Sequence, residues 1–234
     1  MLPRMERARA VALVVAAGAG TRLSSDEPKA LLPIGGRPVV CVAVGAALAS
    51  PAISEIVVAA PPGFEDRVRD ALSRLAAPVV VVSGGKTRQA SVALALLVVD
   101  PEVEIVAIHD AARPFAPPTL FTLVVGAVAA GADAAVPVVP LVDTVKRVRD
   151  GIVVATEPRD QLALAQTPQA CRTAILRDAH KKAEEAMLDF TDDAGLLEWA
   201  GVVVHTVAGD PGNFKITTVL DLARADALLE ASRG

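Results

Sequence analysis

The stretch Val11-Ala12-Leu13-Val14-Val15-Ala16-Ala17-Gly18-Ala19-Gly20-Thr21-Arg22 decides how the rest of the chain is read. Its first half is apolar without alternation, the pattern of a parallel strand covered by helices on both faces. The glycines that follow open a turn, and Arg22 sets a cation in it. A strand ending in such a turn at the start of an α/β sheet places the turn beyond the strand's carboxyl end, where ligands bind in open sheets. Arg4, Arg7 and Arg9 ahead of the apolar run imitate a secretory signal. The run passes straight into Gly18–Arg22, however, and reads as a first strand rather than a cleaved leader.

Outward from that strand, the sequence alternates short Val/Ile runs with Ala/Leu-rich helical stretches. Further strands are expected at Ile53–Ala59, Val79–Val82, Ile105–His109, Ala134–Val139 and Val202–Val207. Helices are expected at Val39–Ala49, Phe64–Ala76, Gln89–Val98, Thr119–Ala130, Arg172–Ala186, Asp192–Ala200 and Val219–Leu229. Strands separated by helices of this length imply right-handed crossovers. The expected fold is α/β and Rossmann-like, a mostly parallel twisted sheet flanked by helices. No linker, repeat or low-complexity stretch interrupts it, so residues 1–234 read as a single domain.

One segment breaks the rhythm. Val142–Arg149 and Ile152–Glu157 mix β-branched and charged residues around Asp150-Gly151, a dipeptide suited to a hairpin turn with positive φ at both positions. A two-stranded hairpin is marginal in water by itself. A charged ribbon at about 141–158 is therefore expected to project as a β-hairpin arm and contact a second subunit. The alternative is an edge extension folded onto its own core.

Composition narrows the function classes. Hydrophobic residues make up 53% of the 234, charged residues 21% and aromatic residues 3%, with a mean hydropathy of +0.47. That excludes a disordered chain and leaves few aromatic platforms for single-stranded nucleic acid. The net charge of −4 argues against a polyanion-binding surface while allowing a local cationic pocket. Cys41 and Cys171 stand in apolar surroundings without a CxxC pair and read as buried thiols of a reducing compartment. The apolar run Thr119–Ala132 is short of the roughly 20 residues a membrane span needs. A cytoplasmic protein, without membrane or nucleic-acid partners, is expected.

Three clusters carry chemistry. The first is Ala16–Leu23 followed by Pro28-Lys29, where glycines let backbone amides approach phosphate oxygens and two cations add charge. Leu23 stands where a dinucleotide fingerprint needs its third glycine, and no Gly-Lys-Ser/Thr completes a Walker loop. The second cluster is His109-Asp110-Ala111-Ala112-Arg113-Pro114 after the Ile105 strand. There Asp110 suits a divalent cation bridging phosphates, or else a turn acid paired with Arg113. His109 has no second His or Cys at metal-ligand spacing and reads as a packed histidine. The third is Ser83-Gly84-Gly85-Lys86-Thr87-Arg88-Gln89-Ala90-Ser91, whose Gly84 and Gly85 amides and Ser91 hydroxyl either read a base edge or cap a helix.

Taken in order, AAGxGxR…PK, GGxxRxxSV, HDAARP, DT, TPQ, TDD and GNxKIT resemble the 2-C-methyl-D-erythritol 4-phosphate cytidylyltransferases of the non-mevalonate isoprenoid pathway, from Val11 to about Ala227. The resemblance implies transfer of CMP from CTP to methylerythritol phosphate, giving 4-CDP-2-C-methyl-D-erythritol and pyrophosphate. It implies catalytic roles for Arg22, Lys29 and Lys215 on the phosphates, and Mg²⁺ or another divalent cation at Asp110. Ala16, Ala17 and Gly18 would hold sugar and base, with Gly85 and Ser91 reading cytosine. Arg113, Thr144, Arg159, Thr167 and Thr191 would bind the acceptor, those at the arm reaching the partner's site in a homodimer. Asp210 is a candidate second metal acid.

Val15, Lys86 and Asp193 depart from the family pattern, where many or some relatives carry proline, an acid and a longer acid respectively. A pentitol-phosphate cytidylyltransferase, acting on ribitol 5-phosphate, fits the same motifs with a different acceptor pocket. A non-catalytic nucleotide-binding regulator would instead be expected to lack one of the cations or the metal acid.

Overall fold

The computed structural model describes residues 10–18, 27–75 and 77–231. Its strands are β1 (Ala10–Val15), β2 (Pro33–Ile34), β3 (Arg37–Pro38), β4 (Ile53–Ala60), β5 (Val79–Ser83), β6 (Ile105–Asp110), β7 (Ala134–Pro140), β8 (Lys146–Arg149), β9 (Ile152–Thr156), β10 (Ala163–Ala165), β11 (Gln169–Arg172) and β12 (Val204–Ala208). The helices are α1 (Val39–Leu48), α2 (Glu65–Leu72), α3 (Arg88–Leu96), α4 (Pro118–Ala129), α5 (Thr173–Glu185), α6 (Asp193–Trp199) and α7 (Val219–Ala231).

The eight-stranded sheet runs β10-β7-β11-β6-β1-β4-β5, with β12 also paired to β7. β1, β4, β5 and β6 are mutually parallel, as are β7 and β12, whereas β10 and β11 enter antiparallel. The unalternating strand pattern has a direct packing cause. On β1, Ala12 and Val14 pack toward Val44 of α1 and Phe121 and Val124 of α4. Val11 and Leu13 pack on the other face, toward Val92 of α3, Leu176 of α5 and Leu196 of α6. Burying a Val or Leu fully contributes roughly 1.5–3 kcal/mol, so both faces have to be apolar.

All six predicted core strands and all seven helices are present, with ends shifted by a few residues. β10 and β11 were not among them. Gln166-Thr167-Pro168-Gln169 is too polar and too proline-marked to read as strand, yet Gln169–Arg172 lies between β6 and β7. The apolar run after Thr119 is the 12-residue α4, and no helix among the described residues is long and apolar enough to cross a membrane. Cys41 and Cys171 are buried free thiols.

The hairpin forms as read, with β8 and β9 antiparallel in a sheet of their own. Asp150 and Gly151 have φ of 50° and 77°, as a type I′ turn requires. Arg147 pairs with Glu157 and Lys146 with the Thr156 hydroxyl, ties internal to the ribbon. Its apolar side chains remain outside the core, with Ile152 68% and Val153 57% exposed.

Candidate active site

The strand order puts a reversal between β1 and β6. From β1 the chain moves outward to β4 and β5, then returns to the far side of β1 as β6. Crevices at the carboxyl ends of strands flanking such a reversal are where open α/β sheets bind ligands. Val15 and Asp110, the last residues of β1 and β6, are paired in register. A cleft of about 230 Å³ opens beyond them. Ala16, Ala17 and Gly18 line one side, Gly85 and Ser91 a second, and Lys29, Asp110 and Lys215 face the same space. Eight of the nine residues expected to act on nucleotide, phosphate and metal thus share one cleft. The ninth, Arg22, lies outside the described residues, as do residues 20–26.

Each wall has a local cause. Gly84 packs where a Cβ would meet the Ala17 methyl and stand 2.9 Å from the Ala60 carbonyl, so only glycine closes this turn against β1. The Ser91 hydroxyl accepts from the Gly85 amide at 3.0 Å and donates to the Thr87 carbonyl at 2.8 Å, while Thr87 caps α3 through the Ala90 amide. The cap and the glycine turn are therefore one device, and it presents the loop to the cleft. Lys86, one of the three departures from the family pattern, also faces the cleft.

The HDAARP stretch is fixed from both sides. His109 Nε2 donates to the Arg113 carbonyl, which leaves Nδ1 to accept the Thr167 hydroxyl proton at 3.0 Å. Thr167 Oγ1 in turn accepts from the Asp110 amide. Burial pushes the His109 imidazole down to about 4, against the pull of Asp110, so it is neutral at pH 7 and serves as packing, edge-on to Phe121. The packed-histidine reading is the one observed.

Asp110 is the electrostatic centre. Its Oδ1 accepts from Arg88 Nε at 2.9 Å and its Oδ2 from Lys215 Nζ at 2.7 Å. Burial alone would raise this carboxyl, but the two cations hold it well below the usual carboxylate range. Arg113 is not its ion partner. That guanidinium instead donates to the Asn213 carbonyl at 2.8 Å and the Ala165 carbonyl at 3.4 Å.

The GNFKIT segment, which delivers Lys215, is anchored at every other position. Asn213 is fully buried and donates to the Thr167 carbonyl at 2.8 Å. Ile216 is buried with Ile34, Val39, Val42 and Ala225, and its carbonyl accepts from Lys29 Nζ at 3.2 Å. Thr217 and Thr218 are both tied to Asp221, which completes a capping box at the start of α7. Lys215 is the residue between anchors that stays half-exposed.

The acceptor residues are dispersed. Thr167 is buried beneath Asp110, and Thr191 is exposed just ahead of Asp192, the N-cap of α6. Thr144 is exposed on the approach to the arm, and Arg159 Nη1 donates to the Val142 carbonyl at 2.6 Å at its base. Neither faces the cleft of its own chain. Asp210 Oδ1 accepts from the Gly212 amide and so shapes its own turn.

Two participants were missed. Arg88 bridges Asp110 and Asp193, and Gln166 holds the Asp210 backbone through both its amide atoms. Arg88 had a signal, since a cation in the first turn of a helix opposes the macrodipole and needs compensation. Gln166 had none, because its partners lie 44 positions away.

For a divalent cation, the donor set is a single buried, ionised carboxylate. Among the described residues no group of three or more His, Cys, Asp or Glu forms a cage. That fits Mg²⁺, which is commonly held by one or two carboxylates plus substrate phosphates and water.

The family model for 2-C-methyl-D-erythritol 4-phosphate cytidylyltransferase (IspD) matches residues 10–231. A relative of that name from Frankia casuarinae is 47% identical over 94% of this chain and 81% of its own. A crystal structure described as 4-diphosphocytidyl-2C-methyl-D-erythritol synthase, from Anaerococcus prevotii, superposes with a TM-score of 0.84 at 31% identity, covering 95% of this chain and 96% of its own. That of the Thermus thermophilus 2-C-methyl-D-erythritol 4-phosphate cytidylyltransferase gives 0.77 at 36% identity, covering 94% and 99%.

Proposed function

Since this chain belongs to the 2-C-methyl-D-erythritol 4-phosphate cytidylyltransferase family, we propose that its cleft transfers CMP from CTP to methylerythritol phosphate for isoprenoid biosynthesis. The observation that carries the reading is the convergence of Ala16–Gly18, Gly85, Ser91, Lys29, Asp110 and Lys215 on one space at the β1/β6 reversal. A phosphate oxygen of the acceptor attacks the α-phosphorus of CTP, the bond to the β-phosphate oxygen breaks, and pyrophosphate leaves. The attacking phosphate is already ionised at neutral pH, so no general base is required. This agrees with the one histidine near the cleft being buried and neutral.

The barrier is chiefly the approach of two anions, and preorganised positive groups are the effective remedy. Lys29 and Lys215, together with Arg22, bind the triphosphate and offset the charge that grows on the α-phosphoryl oxygens. Asp110 would hold Mg²⁺, which would supply positive charge to offset that of the triphosphate. Gly85 and Ser91 form a small wall of the cleft that suits a pyrimidine such as cytosine better than a larger purine.

The acceptor side is completed by a second copy. Thr144 and Arg159 stand at an arm whose apolar residues are uncovered, and a two-stranded ribbon is marginal without a surface to pack on. In a homodimer they would join Arg113, Thr167 and Thr191 of the other protomer. This makes the chain one nucleotidyltransferase domain with a dimerisation arm, acting in the cytoplasm.

Pyrophosphate release by purified protein, with CTP and either methylerythritol phosphate or ribitol 5-phosphate, tests the assignment. Turnover is expected with the first acceptor. Turnover with ribitol 5-phosphate alone would reassign the substrate, and CTP binding without turnover of either would make the protein a regulator.

A further inference from the structure

We propose that Arg88 is a positioning residue that fixes Oδ1 of Asp110 and leaves Lys215 as the exchangeable cation, free to move from Oδ2 to a nucleotide phosphate. The proposal rests on the nucleotidyl-transfer reading above.

The two cations on Asp110 are unequally held. Arg88 is 18% exposed and engages two carboxylates, Asp110 through Nε at 2.9 Å and Asp193 through Nη2 at 2.7 Å. Lys215 is 40% exposed and, among the described residues, makes one ion pair, at 2.7 Å. A planar fork joined to two buried acids cannot leave either without stranding a charge, whereas an ammonium at a cleft wall can exchange one anionic oxygen for another.

Asp193 is itself fixed. It is 2% exposed at the first position of α6. The neighbouring Asp192 accepts from the Gly195 amide and from Gln169 Nε2, and Gln169 Oε1 accepts from the Ala194 amide. Gln169 begins β11, directly beside β6. A closed path thus runs from β6 through Asp110, Arg88, Asp193 and α6 back to the sheet.

The charges of Asp110, Asp193, Arg88 and Lys215 sum to zero. An arriving triphosphate supplies a new partner for Lys215. Asp110 then keeps one cation, on Oδ1, and Oδ2 is released while the carboxylate stays oriented. The placement of Arg88 has no other account in the local sequence. It is the first residue of α3, where the helix end disfavours a cation.

The test compares Arg88→Lys, Arg88→Gln and Asp193→Asn with wild type. Binding of Mn²⁺ to the CTP-saturated protein is followed by the electron-spin signal of the free ion, alongside thermal melting and the kcat and KM of pyrophosphate release. Removing a partner that orients a metal-binding carboxylate typically costs 10–100-fold in metal affinity or activity. We expect Arg88→Lys to stay folded, to bind Mn²⁺ about 10-fold more weakly, and to lose kcat while KM for the acceptor holds. Asp193→Asn should shift both readouts in the same direction by less, and Arg88→Gln by more.

Unchanged Mn²⁺ affinity and kcat in folded Arg88→Lys would overturn the proposal. So would unfolding of all three variants, which would make Arg88 a support of the fold rather than of the site. If wild type turns over no acceptor, the functional reading fails while the Mn²⁺ titration still decides the role of Arg88.

Discussion

The cleft at the β1/β6 reversal and the arm lie in one chain and are built on opposite terms. In the cleft, Asp110 has both oxygens occupied, Ser91 bridges two backbone groups, and Lys215 hangs between a buried Asn213 and a buried Ile216. In the arm, the strands pair only with each other among the described residues, and the apolar side chains face outward. One region is finished by its own chain and the other asks for a surface. On the proposed dimer, the nucleotide half of the reaction would depend on folding alone, and the acceptor half on folding and association together.

Removing the arm should break that comparison most completely. Replacing residues 143–157 with a short Gly-Ser link is expected to abolish acceptor turnover and yield a monomer in sedimentation, with CTP binding retained within a few-fold. A fully active monomer would contradict the shared site.

Lys29→Ala attacks the other half. It is expected to lower kcat/KM by roughly 10²–10³-fold, the scale seen on removing one preorganised transition-state contact, with melting little changed. Asp110→Asn should act on the same scale and additionally lower stability, because Arg88 and Lys215 would then share too little negative charge. Near-normal rates in either variant would remove that residue from the mechanism.

Gly84→Ala sharpens the picture of the wall. Its new methyl would meet Ala17 and the Ala60 carbonyl, so a loss of about 1–3 kcal/mol of stability is expected, together with weaker CTP binding in calorimetry. Unaltered binding would mean that the loop adjusts freely.

The smallest effect is reserved for the helix behind Lys215. Asp221→Asn should cost about 1 kcal/mol, the usual value of an N-terminal cap, read from denaturant melts at neutral pH. Burial by itself would raise the Asp221 carboxyl, but the Thr217 and Thr218 hydroxyls and amides together outweigh it and hold the group down to about 2. Its folded-state pKa is below the unfolded one, so the contribution is present above about pH 4 and fades as pH falls toward 2. The difference between wild type and Asp221→Asn should shrink over that window. A constant difference down to pH 2 would assign the effect to packing.

Much of this was legible in the sequence, for identifiable reasons. Val11–Val15 and Ile105–Ile108 are buried on both faces, so their apolar character has no gaps and their carboxyl ends mark the cleft. Asp150-Gly151 specifies its turn by backbone sterics alone. The stretch Gln166–Arg172 was not legible, because the glutamines that give it a polar look are there to hydrogen-bond Asp210, Asp192 and Ala194. Arg88 appeared in a recognisable motif without a role, since its meaning lies in two acids 22 and 105 positions away. Periodicity reports burial, and it is silent about which buried polar groups meet.

The contact between Lys29 and the Ile216 carbonyl spans 187 positions, and the last helix closes over it, with the Asp226 carboxylate accepting from the Gly35 amide at 2.6 Å and Ala225 packed beside Ile216. Helix α7 is thus the clasp that holds Lys29 and Lys215, the two lysines proposed to bind phosphate, at a common spacing. Grafting this helix from a relative would retune both at once without touching a residue that meets substrate. A protease nick there would silence the enzyme from behind.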